Sequence, residues 1–255
     1  MAVPRVLITN DDGIDSPGLL ALARCSVDLG WETVVAAPVQ ESSGTGAGLN
    51  AAFADRQVAV QWRELPGLPD VEAFAVAAHP GFIVLAACGD GFGPRPDLVL
   101  SGINRGANLG RAVLHSGTVG AAVTAGINGV RALAVSLDVA LSRNAEAYWE
   151  TASKIVRLLL PSVARLDQGS VLNLNVPNVP ELDADRSPRW ATLASHGRIQ
   201  SKVTRIGDNA IELAAVEVDG RLEPGTDAAV LAEGYPTITA LRSISEDFDL
   251  QGSST

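Results

Sequence analysis

The sequence predicts an α/β protein built on a doubly wound, mostly parallel sheet, with β-rich pieces added after it. Three observations carry that prediction. Apolar runs without polar alternation, such as Val6-Leu7-Ile8 and Leu98-Val99-Leu100, fit strands buried on both faces. Helical patterns with clear start and stop signals separate these runs, which is the order of βαβ units. After Pro177 the long helical patterns give way to turn-rich strand pieces. At 255 residues the chain has room for one large domain, with a core of about 1–177 and an arm region of about 178–255.

Residues 5–9 read as the first strand. Ser16 is a good N-cap and Pro17 suits the first helical position. Leu19, Leu20, Leu22, Ala23 and Val27 form the apolar face of that helix, and Gly30 ends it. Residues 32–37 make a second strand and complete a right-handed βαβ unit. A long polar loop follows, with glycines at 44, 46 and 48. These do not make a dinucleotide site, because that fingerprint belongs between the first strand and first helix, where this chain has Asn10-Asp11-Asp12-Gly13.

Residues 52–77 read as a β excursion with strands at 57–62 and 71–77, followed by a helix at 80–87. A third buried strand spans 97–101, and a helix of small residues at 119–127 follows Ser116-Gly117-Thr118. Residues 131–137 form another strand and 144–166 a long amphipathic helix carrying Trp149, Ile155, Leu158 and Leu159. Residues 171–176 are expected to be the last strand of the main sheet. The segments 190–195, 210–218 and 236–241 then read as arms or hairpins outside it, and 251–255 as a disordered tail.

Hydrophobic residues make up 47% of the chain and charged residues 19%, a globular balance. The net charge of −10 argues against binding to nucleic-acid polymers or anionic membranes, since nothing supplies a broad phosphate-attracting field. A small phosphorylated ligand stays open, because a cation and backbone N–H groups can provide local positive potential. Cys25 and Cys88 sit in helical apolar stretches and read as small buried hydrophobes. With no signal-peptide pattern and no membrane-length apolar run, the cytoplasm is the expected compartment.

Asp11 and Asp12 follow the first strand directly. Adjacent carboxylates repel, so one of them is driven toward protonation unless a cation or several donors neutralise the pair. The carboxyl ends of parallel strands are also where open α/β sheets place ligands. An Asp pair there suits a hard cation such as Mg²⁺ or Mn²⁺; the plain alternative is a capping turn. Two further strand-end loops bring oxygen donors, Ser42 and Ser43 from one and Asn104 and Asn108 from the other. Ser116-Gly117-Thr118 at a helix start offers a phosphate cradle. Together these parts suit cation-assisted hydrolysis of a phosphate monoester.

With these residues in view, the sequence resembles the SurE-type survival proteins, a family of metal-dependent 5′/3′-nucleotidases. The resemblance rests on Thr9-Asn10-Asp11-Asp12-Gly13 with Pro17-Gly18, Ala37-Pro38 with Ser43-Gly44, and Ser101-Gly102-Ile103-Asn104 after Arg95-Pro96-Asp97. It continues through Asn108-Leu109-Gly110, Ser116-Gly117-Thr118-Val119, Ala134-Val135-Ser136-Leu137 and Asn173-Leu174-Asn175-Val176-Pro177. Gly225-Thr226-Asp227 and Glu233-Gly234-Tyr235 close the series. By that resemblance Asp11, Asp12, Ser43 and Asn104 are metal ligands, holding one Mg²⁺ or Mn²⁺ per subunit. It also implies Asp11, Asp12, Asn108 and Ser116 as the catalytic group, with Asn10, Gly44, Asn108, Ser116, Gly117 and Thr118 on the substrate phosphate. It further implies a Rossmann-like core with C-terminal arms exchanged between subunits of a homodimer or homotetramer.

The chain departs from the family pattern at Ala78-His79-Pro80-Gly81-Phe82-Ile83, where an acidic residue is missing, and at Thr124, where a Glu is usual. His196-Gly197-Arg198 only faintly echoes an Arg-His region of the later hairpin. These changes leave two alternatives open: a phosphatase specialised for a phosphorylated secondary metabolite, and a non-catalytic oligomeric ligand-binding protein. Of the three histidines, His115 adjoins the Ser-Gly-Thr turn and is a candidate substrate contact or general acid, and His79 is a weaker candidate. Arg105 reads as a solvated charge, with a phosphate contact as the alternative. Trp149 and Trp190 read as core or interface residues. No Gly-x-Ser-x-Gly elbow supports a Ser-His-Asp arrangement.

Overall fold

The computed structural model describes residues 3–42, 44–49, 51, 53–54, 57–140, 142, 144–195, 199–206, 211–217 and 222–242. In chain order the elements are β1 (Arg5–Thr9), α1 (Pro17–Val27), β2 (Glu32–Pro38), β3 (Phe53–Ala54), β4 (Gln57–Val58), β5 (Val60–Leu65) and β6 (Leu68–Val76). There follow α2 (Pro80–Cys88), β7 (Leu98–Arg105), a 3-10 turn (Gly110–His115), α3 (Gly117–Ile127), β8 (Arg131–Asp138), α4 (Trp149–Val163) and β9 (Val171–Pro177). The remainder is β10 (Arg189–Trp190), β11 (Ile199–Ile206), β12 (Ile211–Glu217), α5 (Asp227–Ala232) and β13 (Thr237–Leu241).

Nine strands form one sheet in the order β10-β13-β9-β8-β7-β1-β2-β6-β5. Pairing from β6 through β9 is parallel, while β5 and β13 join antiparallel to their inner neighbours. The central strands are apolar without alternation because each serves two cores. In β1, Val6 and Ile8 face the layer of α1 and α4, whereas Leu7 faces α2 and α3. β8 divides in the same way, with Leu133, Val135 and Leu137 on the first side and Ala132 and Ala134 on the second. Those alanines meet Ala121, Ala122 and Ala125 of α3, so small residues on both surfaces bring helix and sheet close together.

The chain runs from β1 outward through β2 to β6, then crosses back to lay β7 on the other side of β1. The carboxyl ends of β1 and β7 therefore flank the point where the winding reverses, which is where a crevice opens in such sheets.

Several expectations change. The β excursion of residues 52–77 supplies two strands of the main sheet, since β6 pairs in parallel with β2. β9 is not the last strand of that sheet: β13 pairs with it from Thr237↔Asn175 to Leu241↔Val171, and β10 lies outside β13. Among the described residues after Pro177, β11 and β12 form a separate hairpin as expected. The helix expected at 144–166 begins at Trp149. The preceding segment is drawn into the loops instead, where Arg105 and Asn178 bond the carbonyls of Ala145 and Glu146 and Asn178 accepts the Tyr148 N–H. Trp149 packs against the α1–α4 core, while Trp190 is exposed on β10. Cys25 is buried as expected and Cys88 half-buried. The tail 251–255 and the His196-Gly197-Arg198 stretch lie outside the described residues. Among the described residues no helix is long and apolar enough to cross a membrane.

Candidate active site

Asp11 and Asp12 leave β1 into a cleft of about 650 Å³ that also takes in Glu41, Gly44, Asn104, Arg105, Asn108, His115 and Ser116. That volume suits a small ligand. Asp11 is buried at the start of α3, where the Thr118 hydroxyl donates to its Oδ1 at 2.5 Å. Its backbone carbonyl accepts the Ser42 N–H at 2.7 Å, which ties the β2 loop to the same spot. Asp12 Oδ2 accepts the Arg105 N–H at 3.3 Å.

Burial pushes the Asp11 carboxyl above its ordinary range, against hydrogen bonds from Thr118 and Gly117 that act the other way. Burial, and secondarily the Asp11 charge, push Asp12 up to about 6. The two carboxylates thus occupy a site that disfavours their shared charge, and a cation relieves that cost.

The β7 side is shaped by a bulge. Its register against β8 shifts between Ser101 and Asn104. Gly102 makes this possible: its φ is +135°, and a Cβ there would stand 2.3 Å from the Val135 carbonyl. Such bulges re-aim side chains beside active sites. Asn104 spends its amide N–H on the Gly106 carbonyl at 2.7 Å, which leaves its carbonyl oxygen as the end suited to a cation. Arg105 is held by the Ser142 and Ala145 carbonyls at 3.0 and 2.9 Å, so it braces the cleft wall.

Asn108 is fixed by a set of contacts that sequence reading missed. Its Nδ2 donates to Ser136 Oγ at 2.8 Å, and its N–H donates to Asn175 Oδ1 at 2.8 Å. Its carbonyl accepts from Asn173 and Asn175, both at 2.9 Å. Asn173 and Asn175 alternate with core residues on β9, so an Asn-x-Asn pattern in an otherwise apolar strand was the available signal. Asp227 was missed as well. Fully buried at the first turn of α5, it accepts N–H bonds from Gly110, Ala194 and Ala228 at 2.8–2.9 Å. It thereby pins the start of the 3-10 turn that carries His115.

The remaining expected residues divide. Ser116 caps α3, accepting the Val119 N–H at 3.1 Å, and lines the cleft beside His115 and Gly44. Gly117 and Thr118 are buried with their groups directed to Asp11, so they support a carboxylate in this structure and do not line the cleft. Asn10 is fully buried and spends its amide on the Gly13 carbonyl and Ser16 Oγ while accepting the Gly13 N–H, so in this structure it braces the turn into α1 and does not line the cleft. Ser43 lies outside the described residues. Thr124 returns its hydroxyl to the Gly120 carbonyl at 2.7 Å within α3, and neither it nor Phe82 lines the cleft.

The donor set fits a hard divalent cation. Asp11, Asp12 and Asn104 line one cleft, and carboxylates with an amide oxygen are the donors such a cation prefers; among the described residues no group of three or more His, Cys, Asp or Glu is placed to hold a metal.

Fold and cleft together define a class: α/β proteins with an acidic, oxygen-lined site at the winding reversal of a mostly parallel sheet. Within it, the chain belongs to the SurE family, whose model, described as survival protein SurE, matches residues 6–207. It is similar to the 5′-nucleotidase SurE of Methanothermobacter thermautotrophicus, 35% identical over 253 residues covering 93% of this chain and 85% of that protein. The 5′-nucleotidase SurE of Stutzerimonas stutzeri is 36% identical over 255 residues, covering 96% of each. The fold is similar to the crystal structure of the SurE protein from Aquifex aeolicus, with a TM-score of 0.79 and 27% identity over 98% of both chains.

Proposed function

We propose that the protein is a divalent-cation-dependent phosphatase that hydrolyses nucleoside 5′- or 3′-monophosphates and related small phosphate monoesters. We assign it to the cytoplasm as a homo-oligomer joined through its C-terminal arms. The observation that carries the reading is the pair of buried Asp11 and half-buried Asp12 opening into one cleft with Asn104, Asn108 and Ser116. The nucleotidase names of the relatives supply the substrate class.

Asp11, Asp12 and Asn104, with Ser43 of the neighbouring loop, would hold Mg²⁺ or Mn²⁺. When bound, the cation neutralises charge on the phosphoryl oxygens and makes a nucleophile available at neutral pH. The chain's own groups do the rest. The Thr118 hydroxyl and the backbone of Thr118 and Gly117 hold the Asp11 carboxylate in place at the cleft. Ser116 accepts from Val119 and so keeps its hydroxyl proton to donate to a phosphoryl oxygen. Asn108 has committed one amide hydrogen to Ser136 and offers the second to the same phosphate. His115 stands at the cleft rim, where an imidazole can protonate the departing oxygen.

The test is phosphate release from a panel of nucleoside monophosphates with Mn²⁺ or Mg²⁺. Turnover is expected, and it should vanish with EDTA and in Asp12→Ala. Absence of turnover for every monoester tried, with either cation present, overturns the reading.

A further inference from the structure

β8 runs through the middle of the sheet, and from Ala132 to Leu137 it is buried and apolar at every position but one. The exception is Ser136, which is fully buried and does not line the acidic cleft. A hydroxyl in such a place costs stability unless it is bonded, so its partner matters. That partner is Asn108 of the cleft, whose Nδ2 donates to Ser136 Oγ at 2.8 Å. Register sets Ser136 between two further amides, Asn104 on β7 and Asn175 on β9. The β7 bulge brings Asn104 there. Continued from Ser101↔Ala134 without a shift, the ladder would put Ile103 opposite Ser136.

The anchors of Asn108 divide into two sets. Its main chain is held from β9, where Asn175 accepts the N–H and both Asn173 and Asn175 donate to the carbonyl. Its side chain has one hydrogen bond among the described residues, the one to Ser136. Loss of the Ser136 hydroxyl therefore leaves the loop in place and frees the amide to rotate. We propose that Ser136 is a positioning residue for phosphate: it never meets the substrate, and it acts by fixing the Asn108 amide toward the phosphoryl group. The proposal rests on the phosphatase reading and deepens it. A donor oriented in advance loses little freedom when the phosphoryl oxygens arrive, and its effect is largest where their charge grows. In metal sites, partners that orient a contacting residue are worth about 10–100-fold.

Ser136→Ala, Asn108→Ala and the double variant form the test, each checked for its melting temperature. Ser136→Ala should lower kcat about tenfold and raise KM about threefold, whereas loss of folded protein alone would leave KM unmoved. The factors should match for a nucleoside monophosphate and p-nitrophenyl phosphate, because the contact is with the phosphate and not the leaving group. In the Asn108→Ala background the Ser136 substitution should have no further effect. If Ser136→Ala melts early, Ser136→Cys fills the same space with a weaker acceptor and should show the same pattern at smaller size. Calorimetric titration of inorganic phosphate with Mn²⁺ present reads the contact without turnover. Affinity should fall about threefold in either single variant and no further in the double. A Ser136 effect that persists in full beside Asn108→Ala would overturn the proposal, as would turnover and phosphate affinity indifferent to Ser136. Both outcomes leave the phosphatase reading intact. Coupled phosphate affinities in a protein that hydrolyses no monoester would uphold the role of Ser136 and sink that reading.

Discussion

A Cβ placed on Gly117 would stand 2.7 Å from Oδ2 of Asp11 and 2.8 Å from its Cβ. The first turn of α3 therefore reaches the carboxylate only because residue 117 has no side chain. Gly117→Ala should push Asp11 away from Thr118, cost about 1–3 kcal/mol of stability, and reduce turnover by more than the loss of folded protein explains. Thermal unfolding alongside Mn²⁺ titration checks this, with weaker cation affinity expected in the folded variant.

The Asp12 carboxyl carries a second prediction. In the cation-free protein it titrates near 6 in place of its ordinary 3.8, chiefly because it is buried. A raised carboxyl pKa means the folded state holds its proton longer than the unfolded one. Its contribution to stability is then greatest below 3.8 and is lost as pH rises through about 6. Asp12→Asn should accordingly raise cation-free stability at pH 7.5 by about 1–2 kcal/mol, below a ceiling of about 3 kcal/mol for a shift of that size. The same variant should lose cation binding and turnover. In the unaltered protein Mn²⁺ affinity should fall as pH drops below about 6, because protons then compete for Asp12.

His115 can be examined through the leaving group. If it protonates the departing oxygen, His115→Asn should slow nucleoside monophosphates by about a hundredfold. Hydrolysis of p-nitrophenyl phosphate, whose leaving group needs no proton, should change far less. Equal losses on both substrates would remove the acid role.

Asp227 offers a test at a distance from the cleft. It is fully buried and collects three backbone N–H groups, including that of Gly110. Asp227→Ala strands those donors and should cost about 3 kcal/mol or more, measured by denaturant unfolding. Asp227→Asn, which keeps one acceptor oxygen, should recover part of that stability. Turnover per folded molecule should still fall, because the 3-10 turn bearing His115 loses its anchor.

What the sequence made legible follows from local rules. β1, β7, β8 and β9 announced themselves because burial on both faces removes polar alternation, and α1 was framed by Ser16 and Pro17. The Asp11–Asp12 pair was visible because charge at a buried strand end is conspicuous. Non-local pairing was hidden. Nothing near 68–76 reveals that β2 is its neighbour, and nothing near 237–241 reveals a place beside β9. The three bonds by which Asn10 braces Gly13 and Ser16 were equally hidden in the sequence. The lock on Asn108 joins β8 and β9 to a loop after β7, so no window of sequence contains it.

The late return of β13 bears on synthesis. As the chain emerges from the ribosome, the strands that carry Asp11, Asn104 and Asn175 are all made before Thr237 appears. Until β13 arrives, β9 presents an open edge of a sheet whose residues are buried along their whole length. Gly110 likewise waits for Asp227. Until both have been made, the strand behind Asn108 and the turn behind His115 lack the partners that fix them.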